Sequence, residues 1–147
     1  MVEINNRKAK FDYEILETYE TGIVLTGTEI KSVRLGNVNL KDSYGIIRNN
    51  EIFILNMHIS EYKEGNIFNH DEKRTRKLLL HKKEILKIRD KVNLEGITLV
   101  PLKLYFKKNK VKILLGIAKG KKNYDKRESI KKRDTEREIR KQLKYWL

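Results

Sequence analysis

Two alternating runs near the end of the chain, Thr98 to Phe106 and Val111 to Ala118, are joined by Lys107-Lys108-Asn109-Lys110 and constrain the fold more than any other feature. Successive side chains of a strand point to opposite faces, so Leu102, Leu104 and Phe106 fall on one face and Lys103 and Tyr105 on the other. Two such runs across a short polar connection predict a β-hairpin. Ile46-Ile47 and Ile52 to Leu55 predict a second hairpin around Arg48-Asn49-Asn50-Glu51. Tyr13 to Leu16 and Ile23 to Leu25 predict a third around a polar stretch ending in Thr21-Gly22. Pro101 cannot donate to a ladder, which predicts a place near an edge or a strand start.

Two segments have helical character. Thr28 to Leu35 is opened by Thr26-Gly27-Thr28-Glu29, which has capping-box spacing, and is closed by Gly36. Lys82 to Leu94 sets Ile85, Ile88 and Val92 on one core-facing stripe, with Gly96 as its stop. Many short antiparallel strands with few helices predict a mainly β fold: an antiparallel β-barrel of the oligonucleotide-binding type with two or three short inserted helices, plus a basic C-terminal tail. A chain of 147 residues accommodates one such core, since proteins near this size bury roughly 68 to 70% of their unfolded surface.

The chain carries 34 Lys and Arg against 20 Asp and Glu, a net +14, which predicts a polyanionic partner. A membrane is not expected, because there is no run of about 18 apolar residues, no hydrophobic leader after Met1 and no lipidation signal. The absence of cysteine excludes disulfides and thiolate metal sites and suits a reducing cytoplasm. Half of the excess charge lies in residues 119–147, which hold 12 Lys or Arg against five acids. That composition divides the chain into a body, 1–120, and a tail, 121–147, expected to be disordered alone and helical when bound.

Nothing in the sequence assembles a catalytic centre. His58, His70 and His81 lack a second ligand at helical spacing. His70-Asp71-Glu72 reads as a polar loop and His81 as the start of the second helix. Asp12 and Glu14 flank Tyr13 on an expected strand and read as a solvated face. No phosphate loop or nucleophile elbow occurs. The expectation is a non-enzymatic protein without metal or cofactor. The basic residues cluster instead at Asn6 to Lys10, at Lys31 with Arg34, at Arg74-Thr75-Arg76-Lys77, and from Lys119 onward. Four clusters on one small chain favour an RNA surface, since neutralised phosphates release counterions and supply most of the affinity.

Five ordered blocks resemble one family, the SsrA-binding proteins (small protein B). They are Asn6 to Tyr13, Gly27 to Arg34, Asp42-Ser43-Tyr44, Arg74 to Leu80, and Gly116 to Lys122 followed by Asp125-Lys126-Arg127. The resemblance implies a β-barrel body that binds the tRNA-like domain of transfer-messenger RNA in trans-translation, the rescue of stalled ribosomes. It places the RNA-body contacts at Asn6, Lys8, Glu20, Lys31, Arg34, Lys112, Lys119 and Lys121. It places Gly120, Tyr124, Asp125, Lys126 and Arg127 at the decoding site, against small-subunit rRNA, with the rest of the tail in an empty messenger channel. The partners it implies are transfer-messenger RNA, the ribosome and, within the delivered complex, elongation factor Tu, with the protein itself a monomer. A general RNA chaperone or ribosomal structural protein is the alternative.

Overall fold

A computed structural model describes residues 2–63, 69–94 and 96–120. The protein is mainly β, with nine strands and three helices among these residues. The elements run β1 (Glu3–Asn5), α1 (Arg7–Asp12), β2 (Tyr13–Ile23), α2 (Gly27–Arg34), β3 (Val38–Asn39), β4 (Tyr44–Arg48), β5 (Glu51–Leu55), β6 (His58–Ile59), β7 (Arg76–Leu79), α3 (Lys82–Val92), β8 (Ile97–Lys107) and β9 (Lys110–Gly120). Seven strands form one antiparallel sheet ordered β1-β8-β4-β5-β7-β2-β9, in which β9 also pairs with β8; β3 and β6 form a separate ladder. The β4–β8 seam consists of one residue pair, Gly45 opposite Leu99.

Two hairpins form where alternation and turn residues predict them. Asn49 and Asn50 connect β4 to β5, and Lys108 and Asn109 connect β8 to β9. All four have positive φ, between 50° and 64°, the pattern of the tight hairpin turn that matches strand twist. α2 begins at a complete capping box: the Thr26 hydroxyl accepts from the Glu29 N–H, and the Glu29 carboxylate accepts from the Thr26 N–H at 2.8 Å. Gly36 and Gly96, at φ of 79° and 80°, follow α2 and α3 in the left-handed conformation that ends a helix. α3 buries Ile85 and Ile88 against the sheet, with Val92 packed beside them.

The expected hairpin at Thr21-Gly22 is instead one continuous 11-residue strand, β2. Gly22 serves close approach rather than a turn, because a Cβ there would stand 3.2 Å from the Leu79 Cβ on the neighbouring strand. Asp12 ends α1, so Asp12 and Glu14 do not alternate on one strand. α1 is the third of the two or three helices expected, but its place is not readable from the sequence, because six residues are too few for a hydrophobic period to register. Pro101 lies buried inside β8 rather than at an edge, and the strand tolerates it because the β8–β9 register shifts between Pro101 and Lys103. The same shift takes Leu102 away from Leu104. Leu102 packs with Ala9, Val100 and Ala118, whereas Leu104 joins the main core of Val33, Ile52, Ile54, Leu99, Ile113 and Leu115.

The Arg74 to Lys77 cluster is largely not a surface. Arg76 occupies a core-facing position on β7 opposite Ile54 and is fully buried. Its guanidinium pairs with the buried Glu29 carboxylate and donates to the carbonyls of Met57, Glu72 and Asp71. Arg74 donates to the same carboxylate at 2.7 Å and to the Val24 carbonyl at 3.1 Å. Burial alone would raise the Glu29 pKa, but the donors from Arg74, the Thr26 N–H and Arg76 outweigh it and hold it below the ordinary range. His70 belongs to this region too: it is 8% exposed, one ring nitrogen donates to the Ile59 carbonyl at 2.8 Å, and the other shares a hydrogen bond of 2.9 Å with the Thr28 hydroxyl. The polar loop expected at His70 is thus anchored on a buried side chain.

Candidate nucleic-acid interface

The outward face of β2, β8 and β9 gathers an acid, a tyrosine and several lysines. Glu20 points out from β2 between the inward Tyr19 and the buried Thr21. Its carboxylate accepts from the Tyr105 hydroxyl at 2.6 Å and from the Lys107 ammonium at 3.3 Å. Tyr105 lies opposite Lys112 on β9. Glu20 lies opposite Leu114, which makes Lys112 its cross-strand diagonal neighbour. The Lys103 ammonium stands 5.0 Å from the centre of the Tyr105 ring and 3.8 Å from Glu3.

These contacts set the charge state of the patch. The Tyr105 hydrogen bond, and after it that of Lys107, lowers the Glu20 pKa, so the carboxylate is ionised at neutral pH. Burial first, then the Glu20 carboxylate, pushes the Tyr105 hydroxyl up to about 12, so it remains a donor. A carboxylate has about four acceptor positions. Glu20 therefore keeps acceptors for exocyclic amines or ribose hydroxyls, while the surrounding lysines suit phosphate.

α2 supplies the second group. Lys31 and Arg34 lie at i,i+3, so one exposed face carries both. The Lys31 ammonium stands 5.4 Å from the centre of the Tyr62 ring. Arg34 makes no ion pair with another described residue and, with Val2, Phe106 and Asn109, lines a hollow at the β8–β9 turn.

The remaining expected contacts are dispersed. Asn6 is 5% exposed and caps α1: its Oδ1 accepts from the Ala9 N–H at 3.2 Å, and its Nδ2 donates to the carbonyls of Leu40 at 3.2 Å and Pro101 at 2.9 Å. Both amide hydrogens are committed inside the protein, so Asn6 positions α1 rather than presenting a donor. Lys8, on that helix, pairs with Asp42 at 2.8 Å, both side chains exposed. Lys119 is half-buried on β9 between Glu14 and Ile97, and Gly120, the last described residue, lies opposite Tyr13. Lys121, Tyr124, Asp125, Lys126 and Arg127 lie outside the described residues. Glu20 and Lys112 are thus brought together, Lys31 and Arg34 form a neighbouring pair, and Asn6 with Lys8 belongs to α1. Sequence reasoning missed Tyr105 and Lys107 as partners of Glu20, although alternation had already put Tyr105 on the polar face of its strand.

Among the described residues no group of three or more His, Asp or Glu side chains is placed to hold a metal ion, and no helix is long and apolar enough to cross a membrane.

Residues 3–145 match the family model described as SmpB protein. The "SsrA-binding protein" of Ligilactobacillus salivarius is 61% identical over 139 residues, covering 95% of this chain and 90% of the relative. That of Carboxydothermus hydrogenoformans is 62% identical over 139 residues, covering 95% and 93%. A solved structure described as "tmRNA-SmpB: a journey to the center of the bacterial ribosome" superposes with a TM-score of 0.71 at 49% identity, over 84% of this chain and 87% of that one. With the match running through both the β body and the basic C-terminal segment, the chain belongs to the SmpB family, that of the SsrA-binding proteins.

Proposed function

We propose that this protein binds the tRNA-like domain of transfer-messenger RNA and delivers it to stalled ribosomes for trans-translation. The observation that carries this reading is likeness to SsrA-binding proteins over nearly the whole chain. Glu20, Tyr105, Lys107 and Lys112 form the centre of the RNA face, with Lys31 and Arg34 beside it and Lys8, Lys119 and Lys121 adding phosphate contacts. Asn6 contributes by holding α1 in place. The protein works by binding and positioning, in the cytoplasm, within a complex that includes elongation factor Tu, and the group transfers belong to its partners.

The body is a six-stranded barrel of the oligonucleotide-binding type. Support for closure comes from the pairings, which run from β8 through β4, β5, β7, β2 and β9 and return to β8. The tail, 121–147, enters the decoding site, where Gly120 gives a pivot, Tyr124 a stacking surface, Asp125 a helix cap, and Lys126 and Arg127 contacts to rRNA phosphate. As a continuous helix the tail would reach about 40 Å into a messenger channel that holds no message.

Truncation after Gly120 separates the two halves of this reading. The shortened protein loses only the Lys121 phosphate contact to the tRNA-like RNA, so its affinity at fixed salt is expected to fall only slightly, while peptide tagging on stalled ribosomes is lost. RNA affinity falling in step with the charge removed would favour a general chaperone, and tagging that survived truncation would remove the tail from the mechanism.

A further inference from the structure

The hollow beside α2 has the wrong chemistry for phosphate alone. It measures about 440 Å³, within the roughly 300 to 1,000 Å³ usual for small-molecule sites. Among the described residues Val2, Arg34, Phe106 and Asn109 line it; Val2 and Phe106 are apolar, while Arg34 carries a guanidinium and Asn109 an amide. A phosphate contact needs charge and donors but gains nothing from an apolar wall. A flat heterocycle with a polar edge uses both. Its faces remove apolar surface from water, and its edge meets the guanidinium and the amide.

The surroundings support such an occupant. Phe106 is half-buried against the main core, so its ring is fixed by packing. Asn109 sits at φ 64° in a two-residue turn, next to Lys108 at φ 50°, so its side chain projects from a backbone with little freedom. Lys107, Lys108 and Lys110 are exposed around the same turn, and Lys31 lies one helical turn before Arg34. These cations can hold the phosphates on either side of a nucleotide whose base is turned out of its stack. Arg34, with no ion pair to another described residue, has a guanidinium edge available. That edge matches the paired acceptors of guanine, O6 and N7.

We infer that the hollow lined by Val2, Arg34, Phe106 and Asn109 is a pocket for one unstacked nucleobase, guanine by its edge chemistry, of the RNA held on the neighbouring face. This rests on the RNA-binding reading above and adds to it a base-reading site. Recognition of sequence then comes from α2 and the β8–β9 turn together with the free acceptors of Glu20, whereas the lysines set position.

The test uses the full-length protein and the tRNA-like RNA with each unpaired guanine replaced in turn by an abasic site. Arg34→Lys keeps the charge but cannot make the bidentate edge contact. It is expected to weaken binding on the order of tenfold with an unchanged slope of log K against log salt. One abasic RNA should lose a similar factor with the unaltered protein and show no further loss with Arg34→Lys. Equal binding by Arg34→Lys and the unaltered protein on the intact RNA overturns the pocket, and so does a loss that is the same for every abasic RNA. Failure of the unaltered protein to bind the intact RNA would overturn the RNA-binding reading itself, a different result.

Discussion

At the scale of single residues, Glu20 and Asn6 show how one RNA-facing assignment can divide into two physical roles. Glu20 is exposed, and its partners Tyr105 and Lys107 lie on the same outer face. Glu20→Ala should leave the denaturant midpoint nearly unchanged while weakening RNA binding on the order of tenfold, the loss of one charge-assisted contact. A gel-shift titration paired with chemical unfolding measures both. Asn6→Ala should do the reverse, since the cap of α1 and two buried donors disappear together. Unfolding should show a loss of about 1 to 3 kcal/mol, and any loss of RNA affinity should shrink under conditions that keep the protein folded. Equal stability of the Asn6 variant would remove its structural role. Asn6 and Glu20 look alike in the sequence, each a polar residue near a strand, because burial is a property of the assembled sheet.

Among the elements, α2 depends on Glu29 more than on its own length. One carboxylate completes the capping box, pairs with Arg74 from the approach to β7 and pairs with Arg76 inside β7. Removing one partner leaves a buried charge without compensation, so Glu29→Gln should cost about 3 to 5 kcal/mol. The pH dependence has a definite sign. The folded pKa of Glu29 lies below its usual value of 4.5, so its contribution is complete above that value and is lost as pH falls through the lower, folded one. Urea midpoints measured from pH 6 downward should fall less steeply for Glu29→Gln than for the unaltered protein, and parallel curves would refute this account. The capping box was legible from spacing, as were the two hairpins, because a cap and a tight turn are built from neighbours in the chain. The second use of Glu29 was not legible, and Arg74 and Arg76 consequently read as surface charge. Gly22 misled for a related reason: a glycine that admits a neighbouring strand looks the same in sequence as one that makes a turn. The family pattern singles out Glu20 and Lys112, which the fold makes diagonal neighbours, and Lys31 and Arg34, which share one face of α2. The hydroxyl partner of Glu20, Tyr105, 85 positions away, required the β8–β9 register.

At the scale of the whole molecule, the ring of pairings narrows to one residue pair at Gly45 and Leu99. A Cβ at Gly45 would meet the Leu99 Cβ at 2.9 Å, closer than such atoms normally approach. Gly45→Ala should therefore destabilise the protein by about 1 to 3 kcal/mol. Amide exchange should speed up at the adjoining ends of β4 and β8 more than along the β2–β9 ladder, and uniform acceleration would deny that the seam opens locally. The opposite side of the ring has another consequence, one set by time. β2 meets β7 only at Gly22 and Ile23, and the rest of its ladder is completed by β9. Thr21 bonds to Ile113, 92 positions later in the chain. At synthesis rates of about 5 to 20 residues per second, β2 waits about 5 to 20 s for that partner. During the wait it offers an open edge to any other nascent strand, and Glu14, Glu17 and Glu20 spaced along it supply the like-charge repulsion that keeps such an edge from aggregating.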